Sequence, residues 1–143
     1  MVISSKGRYA LRVMVDLAEH GGDGYVSMRD VARRQEISDK YAGQIMTLLS
    51  RAGLVDGVTG KGGGYRLTRE PDQYTVGEIL TLTEGSLAPV SCLAQGAASC
   101  PRMSSCRTYD MWKGLDDLIE DYFGKITLAD LAAPDEAGND YVI

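Results

Sequence analysis

Two short amphipathic segments, each opened by a serine and separated only by Glu36 and Ile37, run straight into a stretch with four glycines in six residues, Thr59 to Gly64. Few folds accommodate that order. Ser27 with Asp30 three residues on is a helix-opening signature, and Met28, Val31 and Ala32 then fall on one inward face. Ser38 opens the next helix, which runs through Ala52 with Tyr41, Ile45, Leu48 and Leu49 as its apolar side, and Gly53 stops it. Two capped helices joined by so tight a turn are the layout of a helix-turn-helix. Leu54-Val55 and Val58 lead into the glycines, and Tyr65-Arg66-Leu67 returns, which reads as a β-hairpin. The glycine run is not a phosphate-binding loop, because it lacks the Gly-Lys-Ser/Thr ending and no helix follows it.

Upstream, Ser5 to about His20 places Ala10, Met14, Leu17 and Ala18 on one stripe, and Gly21-Gly22 end this first helix. Helix, helix, third helix, hairpin is the order of a winged helix-turn-helix, in which the third helix enters the major groove and the hairpin touches backbone or minor groove. After Pro71-Asp72, Thr75 and Glu78 form a capping box for a fourth helix, through about Glu84 and closed by Gly85. Residues 86–106 show no periodicity, hold every cysteine of the chain, and form a loop long enough to need a functional reason. A longer helix resumes at Thr108, with Met111, Trp112, Leu115, Leu118, Ile119 and Tyr122 three and four apart, and is expected to end at Gly124. Thr127 and Asp130 cap a last short helix around Leu128 to Ala132. The fold expected is mainly α with a small β-hairpin wing, plus a long dimerisation helix. Its parts are a DNA-binding domain over residues 1–71, a cysteine loop and dimerisation region over 72–134, and a tail over 135–143.

The net charge of −5 over 143 residues argues against nucleic acid only until it is divided along the chain. Residues 1–71 hold 11 Lys or Arg against 8 acids, a net +3, whereas residues 72–143 hold 4 against 12, a net −8. The front half can approach a polyanion and the rear half would be repelled by one, so an orientation on DNA is implied. No apolar run approaches the roughly 18 residues of a membrane span, and an odd cysteine count is not a secreted disulfide framework. A reducing cytoplasm fits. With one histidine near position 20 and cysteines only beyond 90, no catalytic constellation can be assembled from neighbours in sequence, so an enzyme is not expected.

On the third helix, Lys40, Tyr41, Gln44, Thr47 and Arg51 are the polar-capable positions. Gln44 has the donor and acceptor pair that reads an adenine edge, while Lys40 and Arg51 suit phosphates, as does Lys61 at the hairpin tip. Cys92, Cys100 and Cys106, spaced C-x7-C-x5-C, are either thiolate ligands or unrelated free thiols. Paired C-x2-C knuckles and an obvious fourth ligand are lacking.

Several strings bring a resemblance into view: Ile3-Ser4-Ser5-Lys6-Gly7-Arg8-Tyr9-Ala10, Ile37-Ser38-Asp39-Lys40-Tyr41, Ala52-Gly53-Leu54-Val55, Gly60-Lys61-Gly62-Gly63-Gly64-Tyr65, Val76-Gly77-Glu78-Ile79, and the cysteine loop followed by Trp112. Over residues 2 to about 133 the chain resembles the winged-helix regulator family that contains IscR, NsrR and CymR. The resemblance implies a homodimeric regulator that binds double-stranded DNA, with the helix after the cysteine loop packed on its partner. Lys6, Arg8, Tyr9, Ser38, Thr59 and Tyr65 complete the expected DNA contacts. It also implies that Cys92, Cys100 and Cys106 hold an iron–sulfur cluster, of two-iron or four-iron type. The chain departs from relatives at the fourth ligand: Tyr109 stands where IscR-like proteins have a histidine, and Arg8 where NsrR-like proteins have an acid. Ala42-Gly43 replaces the Leu-Glu common before the glutamine, which removes a side chain expected to point toward the groove and should alter base preference.

The final Asp140-Tyr141-Val142-Ile143 resembles the C-terminal peptide with which serine acetyltransferases, and CymR-type regulators, enter cysteine synthase. Tyr141, Val142 and Ile143 would then be partner-binding, with the terminal carboxylate captured as a substrate mimic. The expected function is a regulator, most simply a repressor, sensing cluster or cysteine status. A cluster-free regulator signalled by cysteine synthase, and an iron–sulfur carrier, are the alternatives.

Overall fold

The computed structural model describes residues 2–22 and 24–132. Helix α1, Ser5–His20, starts where the Ser4 hydroxyl accepts a hydrogen bond from the Gly7 N–H at 3.1 Å. Ala10, Val13, Met14 and Leu17 recur three and four apart and are all buried, so α1 is the central rod of the core. Helix α2, Met28–Gln35, follows Ser27, whose side chain makes no capping bond. The Ser27–Asp30 signature therefore marks the right boundary for the wrong reason: Asp30 turns outward to Arg33 at 2.9 Å.

Helix α2 ends at Glu36, a left-handed residue (φ 57°, ψ 46°) whose N–H reaches back to the Ala32 and Arg33 carbonyls. Ile37 N–H bonds the Ala32 carbonyl at 3.0 Å, which completes the turn and redirects the chain. Helix α3, Asp39–Arg51, opens with the Ser38 hydroxyl accepting from the Tyr41 N–H at 3.0 Å. Ala42, Ile45, Met46 and Leu49 bury its inner face.

Strands β1, Val55–Val58, and β2, Gly64–Leu67, pair antiparallel with Val55 opposite Leu67 and Val58 opposite Gly64. Val26 and Tyr65 exchange two backbone bonds of 2.8 Å, which fasten the hairpin to the segment entering α2. That approach explains Gly64, where a Cβ would stand 2.2 Å from the Val26 carbonyl oxygen.

Helix α4 spans Val76–Glu84, α5 spans Tyr109–Lys125 and α6 spans Leu128–Ala132. Thr75 caps α4 through the Glu78 N–H at 3.1 Å, but the Glu78 carboxylate does not return to close the box. It takes a bidentate pair from Arg69 at 2.9 and 3.0 Å instead, because the hairpin exit lies within reach. Thr127 and Asp130 do form a reciprocal box, at 2.9 and 3.1 Å. Gly124 does not end α5: the helix runs one residue further and stops at the extended Ile126, whose carbonyl accepts the Val76 N–H at 2.9 Å. Helices α4 and α6 pack on α1, so the core is continuous across residue 71 and joins Ala10, Met14 and Leu17 to Tyr74, Ile79 and Leu128.

Candidate nucleic-acid interface and cysteine loop

Helix α3 offers one exposed polar face. Lys40, Gln44, Thr47 and Arg51 all lie on it with Ser50, while the other residues between them are buried or half-buried. The Thr47 hydroxyl donates to the Gly43 carbonyl at 2.9 Å, so toward a ligand it has only acceptor capacity to offer. Gly43 sits differently from the sequence expectation. A Cβ there would lie 3.5 Å from Met28 Sδ, so the position borders α2 rather than pointing into open groove.

The start of α1 lies beside the start of α3. The Tyr9 and Tyr41 rings meet edge to face with centroids 5.6 Å apart, and the Arg12 guanidinium lies 4.7 Å over the Tyr9 ring. Arg12 is held further by the Gln35 side chain at 3.1 Å and by the Gln35 carbonyl. Lys6 and Arg8 are exposed on the same first turns of α1. Thr59 and Lys61 are exposed at the hairpin tip, whereas Tyr65, opposite Gly57 in the ladder, is half-buried and packs against the core. Sequence reading assigned no role to Arg29. Its side chain is 84% exposed in the first turn of α2, 3.9 Å from Asp39 in the first turn of α3, and its place in a first turn was the available signal.

Behind this face Asp16 is fully buried and receives Arg34 at 2.7 and 2.9 Å and Gln35 at 2.9 Å. Burial would raise its pKa, but the hydrogen bonds from Arg34 and Gln35 and the Arg34 charge outweigh it and hold the carboxyl below the ordinary range. The pair fixes α2 on α1. The His20 Nδ1–H donates to the Asp16 backbone carbonyl at 3.0 Å, so the single histidine is engaged at the end of α1.

The cysteine loop has two short turns of 3₁₀ helix, Ser91–Leu93 and Met103–Ser105. Cys92 and Cys100 are half-buried and Cys106 is exposed. Cys106 Sγ lies 3.5 Å from Thr108 Oγ1, and this contact, the backbone N–H groups at the start of α5 and the Arg102 charge hold the thiol below its usual pKa. Three thiols are a suitable donor set for iron, yet among the described residues no three Cys, His, Asp or Glu side chains stand close enough to hold one metal ion. The loop as folded keeps the thiols apart. Tyr109, at the position of the missing histidine, is the first residue of α5. Tyr141, Val142 and Ile143 lie outside the described residues.

Helix α5 divides its apolar residues between two sides. Trp112, Ile119 and Phe123 are half-buried, while Met111, Leu115, Leu118 and Tyr122 are 40–67% exposed at spacings of three and four. No helix among the described residues is long and apolar enough to cross a membrane.

A helix-turn-helix with an adjoining hairpin, an exposed polar third helix and a basic front half define a winged-helix DNA-binding regulator of transcription. Residues 3–134 match the Rrf2 family, described as iron-dependent transcriptional regulators, and the chain belongs to that family. It is 39% identical over 131 residues to the HTH-type transcriptional regulator IscR of Erwinia tasmaniensis, covering 92% of this chain and 78% of that one. Against IscR of Aliivibrio salmonicida the identity is 37% over 136 residues, with 95% and 80% covered. Among solved structures it is similar to CymR, the global cysteine regulator of B. subtilis, with a TM-score of 0.76, 34% identity, and 94% and 99% covered. Similarity to T. potens IscR has a TM-score of 0.72 at 35% identity, with 92% and 85% covered.

Proposed function

We propose that the chain acts as a homodimeric repressor that reads a pseudo-palindromic operator and carries an iron–sulfur cluster on its cysteine loop. The observation that carries the DNA reading is the Tyr9–Tyr41 contact, which sets the basic start of α1 beside the exposed face of α3. Gln44 is the base reader, Lys40, Arg51 and Arg29 hold phosphates, and Lys6, Arg8, Ser38, Thr59 and Lys61 extend the contact along the backbone. Tyr9, Tyr41 and Tyr65 position these groups. The exposed stripe Met111, Leu115, Leu118 and Tyr122 is the surface that a second copy covers.

Cys92, Cys100 and Cys106 are the proposed cluster ligands. Because they stand apart in the fold described, cluster uptake requires the loop over residues 86–108 to rearrange. The family description as iron-dependent regulators supports this assignment. Anaerobic purification with iron and sulfide assays and a visible spectrum tests it: stoichiometric iron and sulfide, with charge-transfer bands lost on Cys92→Ala, Cys100→Ala or Cys106→Ala, are expected. A colourless, iron-free dimer would overturn it.

The likeness to a global cysteine regulator favours a second reading of the signal. There Tyr141, Val142 and Ile143 dock into cysteine synthase, and the thiols need no metal. Deleting those three residues abolishes control by cysteine if this reading holds, and leaves it untouched otherwise.

A further inference from the structure

Ser4 and Glu84 are 80 residues apart in sequence, yet they close a clasp between the first turn of α1 and the last residue of α4. The Ser4 hydroxyl donates to Glu84 Oε2 at 2.8 Å, and the Ser4 backbone N–H donates to Glu84 Oε1. The same hydroxyl accepts from the Gly7 N–H, so Glu84 is joined to the cap of α1.

Each helix end is electrostatically unfavourable by itself. The first turn of α1 has no acid and carries Lys6 and Arg8 where the helix dipole is already positive. The last turn of α4 has no base and ends on Glu84 where the dipole is negative. The clasp lets one end complete the other. Gly7 makes the approach possible, since a Cβ there would stand 3.0 Å from Thr83 Oγ1 and 3.1 Å from Glu84 Oε1. Gly85, with φ 80°, follows at once and opens the cysteine loop.

We propose that Glu84 is a positioning residue: it sets Lys6 and Arg8 against the DNA backbone and is the element through which the cysteine loop and the DNA face respond to one another. The inference rests on the DNA-binding reading. Any displacement at the root of the loop moves the Glu84 carboxylate, and with it the cap of α1. By linkage, DNA that fixes α1 must in turn restrain the loop.

The test uses the full chain and a duplex selected by the wild-type protein from random sequence. Hydrogen exchange of residues 86–108 is measured with and without the duplex, for wild type, Glu84→Gln and Glu84→Ala. In wild type the duplex slows exchange of the loop by about fivefold or more, the low end of ordinary allosteric coupling. Glu84→Ala binds the duplex about fivefold more weakly and loses that slowing. Glu84→Gln keeps an acceptor for the Ser4 N–H and falls between. Should Glu84→Ala melt in circular dichroism, Glu84→Gln and Ser4→Ala carry the comparison. Loop exchange that is indifferent to DNA in wild type, or slowed equally in the folded variants, overturns the clasp while leaving DNA binding intact. Failure to select any duplex overturns the DNA-binding reading, and this inference with it.

Discussion

The Tyr74 hydroxyl donates to the Leu54 carbonyl at 2.7 Å and accepts from the Thr68 and Arg69 N–H groups at 2.9 and 3.0 Å. One fully buried side chain thereby ties the entry of β1 to the exit of β2, and both to the segment leading into α4. The hairpin's angle to the helices is set at this point. Tyr74→Phe keeps the ring but leaves two amides without their acceptor, and is expected to destabilise the fold by about 1–3 kcal/mol. Urea denaturation measures the loss. DNA affinity should fall as well, because the wing loses its fixed base.

Asp16 and Arg34 give a pH signature. The folded carboxyl titrates below its ordinary value, so the stability it contributes is fully present above about pH 4 and disappears as pH falls through the folded value. Asp16→Asn removes the ion pair and should cost about 2–3 kcal/mol at pH 7, below the range for fully buried pairs because the Arg34 side chain is 31% exposed. The gap between the thermal melts of the two proteins is expected to narrow as pH falls from 7 to 3. A gap that stays constant would contradict the assignment.

Leu118 is 67% exposed at the middle of the α5 stripe. Leu118→Asp introduces a charge that a second copy would have to desolvate, so sedimentation velocity should show a monomer. Far-ultraviolet circular dichroism should remain that of a folded chain, since the side chain is not in the core. Operator binding weakens because the two half-sites are no longer engaged together.

Gln44 and Lys61 should separate specificity from affinity. Gln44→Ala is expected to reduce discrimination at one base pair by about 1–3 kcal/mol. Lys61→Ala should weaken binding to all sequences alike and lower the salt dependence by about one counterion. Titrations of matched and mutated duplexes at several salt concentrations distinguish the two.

Local chemistry made much of this architecture legible. Ser38 names the start of α3 because its hydroxyl needs only an N–H three residues on, and Gly53 and Gly85 sit where the chain leaves a helix with positive φ. Periodicity placed Ala10, Met14, Leu17, Ile45 and Leu49 in the core. Where partners came from distant sequence, local rules failed. Glu78 was free to choose between its own cap and Arg69, Gly43 met Met28 rather than the groove, and the apolar residues of α5 were divided by what α4 could cover.

Sequence alone determined the order of the elements, their starts, most of the buried face of each and the donor types available to DNA and iron, because these depend on neighbours within a turn or two. Only the tertiary structure decided that Tyr74 locks the wing, that Asp16 holds α2 to α1, that Glu84 caps a helix 80 residues away and that the three thiols stand apart. Such contacts join residues whose separation along the chain carries no periodic signal, and their geometry exists only once the core has brought the helices together.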